Sequence, residues 1–76
     1  MKFKQNGYTF TDEAEQAISI NNYCKNKKVK AKAFVAEKDG CKEIVLFNKN
    51  GKPIFSSQKL EDVVVHVDIM AIAKEK

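Results

Sequence analysis

Thiol, imidazole and carboxylate are the groups in this chain whose types could act together chemically. His66 is the only histidine, Asp68 stands two residues on, and Cys24 and Cys41 are the only cysteines. A nucleophilic relay needs the thiol within hydrogen-bond reach of the imidazole, and the imidazole held by the carboxylate. On a strand, His66 and Asp68 would share a face; on a helix they point about 160° apart. Nothing near either cysteine marks it as activated, and no glycine-rich nucleophile turn accompanies them. A zinc site fares no better, because no two of Cys24, Cys41 and His66 lie close enough to form a half-site. The glycines belong to Asn6-Gly7, Asp39-Gly40 and Asn50-Gly51, three separate turn signals and no phosphate-cradling loop. The sequence therefore gives no case for an enzyme, a metal centre or a cofactor.

The strongest chemical asymmetry is in charge. Residues 24–32 hold five lysines and no acid, whereas the remainder has nine lysines against ten acids. The whole formal excess of +4 thus comes from one segment. Lys25, Lys27, Lys28, Lys30 and Lys32, flanked by Tyr23 and Phe34, form a candidate partner-binding patch. The lysines would track phosphates or another acidic surface, and the two aromatic rings would stack on bases. A plainer origin also accounts for the segment. Lysines at a helix C-terminus complement its dipole, and lysines along an edge strand keep it from pairing with other chains. Arginine is absent, so DNA or RNA binding would be electrostatic and salt-sensitive, with little reading of sequence.

These groups must be positioned by a small fold. Seventy-six residues make one small domain spanning 1–76, in which a limited share of the chain's surface can be buried. With 43% hydrophobic and 32% charged residues the chain is expected to fold. It shows no signal peptide, and the apolar run from Val63 to Ala73 is too short to span a bilayer. Two cysteines are too few for a disulfide scaffold. The expected location is therefore the cytoplasm, with no membrane contact. The lysine-rich, arginine-free composition suits a small accessory protein of an AT-rich bacterium or its phage.

Residues 3–10 read as one or two short strands around Asn6-Gly7. Thr11 resembles a helix N-cap, and Asp12, Glu13 and Glu15 would place negative charge in a first turn. A helix over about 12–26 follows, with Ala14, Ala17, Ile18 and Cys24 as its buried stripe and Asn21 diluting it. From Val29 to Ala36 the pattern alternates, and residues 43–47 are apolar on both faces. With turns at Asp39-Gly40 and Asn50-Gly51 and a short strand at 53–55, residues 29–56 predict a three-stranded antiparallel meander. The last segment, 58–73, fits either a helix or a fourth strand. Its length, a Ser56 or Ser57 cap, the early Glu61 and Asp62 and the closing Lys74 and Lys76 favour helix. The fold class is α+β, a meander with an N-terminal and a C-terminal helix. This element order is shared with double-stranded-RNA-binding domains. Their basic, glycine-containing start to the last helix has no counterpart in Ser57-Gln58-Lys59-Leu60-Glu61-Asp62, so the chain is not assigned to them.

A C-terminal helix would expose Val65, Ile69 and Ile72 opposite its core face, and such a patch marks an interface. The expected function is a small non-catalytic protein-binding module, an adaptor or inhibitor that occludes a partner's surface. The alternative is electrostatic nucleic-acid binding through residues 25–32. A homodimer would cover the same apolar patch.

Overall fold

The computed structural model describes residues 1–74, with Lys74 by its backbone alone. The order is β1 (Lys2–Gln5), β2 (Tyr8–Thr11), α1 (Glu15–Asn26), β3 (Ala31–Lys38), β4 (Cys41–Asn48), β5 (Pro53–Ser57) and α2 (Leu60–Lys74). The strands form one antiparallel sheet in sequence order. The meander is as expected, but the sheet has five strands, because the β1–β2 hairpin joins β3 through Phe10↔Ala36 and Thr11↔Val35. The C-terminal segment is a helix rather than a strand. Lys76 lies outside the described residues.

Local chemistry explains the boundaries. Asn6-Gly7 and Asp39-Gly40 both have positive φ at each position, as a two-residue hairpin turn with the sheet's own twist requires. Thr11 does not cap α1. It is the last residue of β2, and its Oγ1 accepts the Glu13 N–H at 3.1 Å. The helix consequently starts three residues later than expected, behind Ala14, which offers no side-chain cap. At its other end the Val29 N–H reaches the Cys24 carbonyl at 2.9 Å and the Lys28 N–H reaches that of Lys25 at 3.2 Å. This pair of bonds is a Schellman ending, with Lys28 in the left-handed region at φ 59°. Ser57, the last residue of β5, holds the turn into α2 without capping it: its Oγ accepts the Lys59 N–H at 3.1 Å and donates to Asp62 at 3.0 Å.

Both helices lie on one face of the sheet. Ala17, Ile20 and Cys24 from α1 and Val63, Val67 and Ala71 from α2 pack on Ala33, Val35, Ile44 and Leu46. The stripe on α1 thus runs through Ile20 instead of Ile18, which is 47% exposed. Among the described residues no helix covers the opposite face. There Phe34, Ala36, Val45 and Phe47 are buried against Phe3, Tyr8 and Phe10. Phe3 and Phe47 stand on strands that a flat sheet would hold about 14 Å apart, yet their ring centroids are 6.5 Å apart. The sheet therefore coils over this face and closes an aromatic cluster in its concavity. That is why β4 is apolar on both sides: helices cover one and the rings cover the other.

The lysine-bearing start of β3, residues 31–34, pairs with β4 alone, but the strand as a whole lies inside the sheet. β3 is central, and the edges are β1, with Lys2 and Lys4, and β5, which opens on Pro53. Those are the residue types that discourage pairing with another chain. No described helix is long and apolar enough to cross a membrane.

Candidate functional site

The groups considered for catalysis are held apart. The His66 ring stacks on Phe55 at 4.3 Å, on the β5 side of α2. Asp68 faces the other way and accepts a hydrogen bond from the Tyr23 hydroxyl on α1. That bond, followed by partial desolvation, raises the Tyr23 phenol above its ordinary value. Cys24 is buried under α1, and desolvation pushes its thiol up and away from the reactive thiolate. Cys41 is exposed at the β3–β4 turn. Among the described residues no group of three or more His, Cys, Asp or Glu could hold a metal ion.

The five lysines do not form one stripe: Lys25, Lys27 and Lys28 stand at the end of α1 and in the turn after it, whereas Lys30 and Lys32 stand at the start of β3. Lys25 is exposed in the last turn of α1. Lys27 and Lys28 line a concavity of about 610 Å³ together with Tyr23, Asp68 and Ile72. The Lys27 ammonium lies 5.7 Å from the Tyr23 ring centre. Lys30 and Lys32 lie instead along the concave face, where they line a cleft with Phe3, Phe34 and Phe47. Lys32 is committed on both sides, 3.0 Å from Asp12 and 5.3 Å from the Phe34 ring centre. The expected pairing of the early acids with the α1 dipole is replaced at Asp12 by ion pairs. The amino group of Met1 at 2.7 Å and Lys32 draw its carboxyl from 3.8 down to about 2.

Both aromatic neighbours already have partners within the chain. Phe34 is 6% exposed and sits in the ring cluster, and Tyr23 is tied to Asp68 and overlain by Lys27.

The apolar candidate is continuous. Val63, Val67 and Ala71 face the core, and at about 100° per residue the opposite side of α2 falls on Val65, Ile69 and Ile72. These three are 56%, 57% and 59% exposed. Glu61 and Asp62 stand at the N-terminal end of this stripe, while Lys27 and Lys28 border Ile72 at the other.

Asn21 is the residue whose role sequence reasoning missed. Its side chain takes the Ala33 N–H at 2.7 Å and gives a bond to the Ala33 carbonyl at 3.1 Å. β2 pairs with β3 only over Val35, Ala36 and Glu37, so the amide of α1 replaces the strand that has ended. An asparagine inside an otherwise apolar helix stripe is the signal that could have revealed it.

Compared with known protein families, with curated proteins and with solved structures, the chain gives no match.

Proposed function

We propose that this chain is a small non-catalytic binding module that covers a partner protein's surface with the outer face of α2. The observation that carries the reading is the Val65, Ile69, Ile72 stripe, three β-branched side chains left more than half exposed at helical spacing. Burial of apolar surface is the main driving force in protein association, and a stripe of this kind lays into an apolar groove. Charge at its ends specifies the occupant. The partner presents apolar side chains with carboxylates where they meet Lys27 and Lys28, and cations where they meet Glu61 and Asp62. This polarity fixes orientation more than it adds affinity.

The test is affinity purification with the wild-type chain and with a Val65→Ser, Ile69→Ser, Ile72→Ser variant, each with and without nuclease. The expected result is a protein retained by the wild type despite nuclease and reduced at least about tenfold by the variant, which keeps its circular dichroism. Retention unchanged by the variant overturns the reading. So does recovery that nuclease abolishes, which returns the lysines to nucleic acid. A concentration-dependent dimer in light scattering, broken by the same variant, replaces the foreign partner with a second copy.

A further inference from the structure

The concave face of the sheet, on the other side from α2, holds a second site that the protein-binding reading does not use. A cleft of about 630 Å³ opens there between the start of β1, the start of β3 and the β4–β5 turn. Its floor is Phe3, Phe34 and Phe47, and its rim is Lys30, Lys32 and Lys49. No described aspartate or glutamate lines it. Lys32 is neutralised by Asp12 at 3.0 Å, whereas Lys30 and Lys49 make no ion pair with any described residue. Two unneutralised cations beside an apolar floor favour an anion that brings its own apolar body. The volume falls within the range of about 300–1,000 Å³ typical of ligand sites.

The rings decide what kind of body. Phe3 stacks on Phe10 at 4.8 Å and 8°, so that face of its ring is taken. Phe34 has the Lys32 ammonium over its ring, and Phe34 and Phe47 meet edge to face at 81°. A planar base needs an open ring face to stack on, and these contacts, with Phe34 and Phe47 only 6% and 8% exposed, leave little of one. A flexible aliphatic chain needs only apolar contact area, which ring edges supply as well as faces. We infer that this cleft binds an acyl-chain carboxylate, its chain laid over Phe3, Phe34 and Phe47 and its head held between Lys30 and Lys49.

The experiment is an amide chemical-shift titration of the labelled protein with decanoate, decanol and acetate, each below its aggregation concentration. Decanoate is expected to move resonances of Phe3, Lys30, Phe34, Phe47 and Lys49. Decanol, with the same chain and no charge, should bind about tenfold more weakly, the difference a charge-assisted contact makes. Acetate should not compete. A Lys30→Gln, Lys49→Gln variant should bring decanoate down to the affinity of decanol and leave decanol unchanged. Equal binding of decanoate and decanol overturns the assignment of the head. Shifts centred on Val65, Ile69 and Ile72, or an absence of shifts, overturn the site. Competition by acetate reduces it to a simple anion contact. None of these results depends on whether α2 meets a protein.

Discussion

Asn21 shows how much one side chain can decide at the scale of a residue. Its amide supplies one donor and one acceptor in the geometry of a neighbouring strand, and Ala33, fully buried, uses both. Truncation to alanine leaves a peptide N–H and a carbonyl of β3 without partners in a part of the core that water reaches poorly. A group orphaned in this way costs about 1–3 kcal/mol. Asn21→Ala is therefore expected to lower stability by about 2 kcal/mol, seen as a lower urea midpoint with an unchanged slope. A loss within about 0.5 kcal/mol, the range of an ordinary surface change, would show that solvent satisfies Ala33. Asn21 also marks a limit of reading by pattern. A polar residue in an apolar stripe counts as dilution when only periodicity is weighed, since its partner lies twelve residues on in a strand whose neighbour cannot be foreseen.

Elements were legible where local chemistry determines them. The hairpin turns follow from Asn-Gly and Asp-Gly, and the end charges and length of the last segment favour helix over a fourth strand, as α2 is. The extent of the sheet was not legible. β1 and β2 are four residues each, and their place depends on Phe3 and Phe10 closing over Phe34 and Phe47, contacts made across an intervening helix. The place of β3 inside the sheet depends on the same contacts, and so does the division of the lysines between the end of α1 and the cleft at the start of β3. The exposure of Val65, Ile69 and Ile72 followed directly from helical spacing once the element was a helix.

The C-terminus of α1 offers a test at this scale. Val29 and Cys24, the outer residues of the Schellman bond, are both buried, so the ending is anchored by packing and holds Lys28 at φ 59°. The left-handed region costs a residue with a Cβ about 1 kcal/mol or more, and glycine avoids that cost while losing more chain entropy on folding. Lys28→Gly is expected to raise stability by about 0.5–1 kcal/mol, and Lys28→Ala, which keeps the Cβ, should not. Equal gains in urea unfolding of the two variants would assign the effect to the lysine side chain and not to the backbone.

At the scale of the molecule, the sheet separates a helical layer from a coiled aromatic layer, within extents of 40 × 24 × 17 Å. The two layers present different chemistry: an apolar helix stripe on one side and a lysine-rimmed cleft on the other. Asp12 secures the coil. It follows β2 and joins the Met1 amino group at 2.7 Å to Lys32 at 3.0 Å, so the start of β1 is held against β3 at the rim of the cleft. These contacts draw its carboxyl from 3.8 to about 2, the amino-terminal bond contributing most. The sign follows from proton counting. Between those values the unfolded chain binds a proton at Asp12 that the folded chain refuses, so acid favours unfolding. The contribution is complete above 3.8 and lost as pH falls toward about 2. Thermal unfolding of the wild type and Asp12→Asn should therefore differ near neutral pH, with the variant melting lower. The two curves should converge as pH falls through about 2, because Asp12 then takes up its proton in the folded chain as well. Added salt should narrow the neutral-pH gap, since these pairs lie at the surface. Melting curves that stay parallel through the acid range would mean that Asp12 holds the hairpin by shape, with its charge contributing nothing to the closure of the sheet.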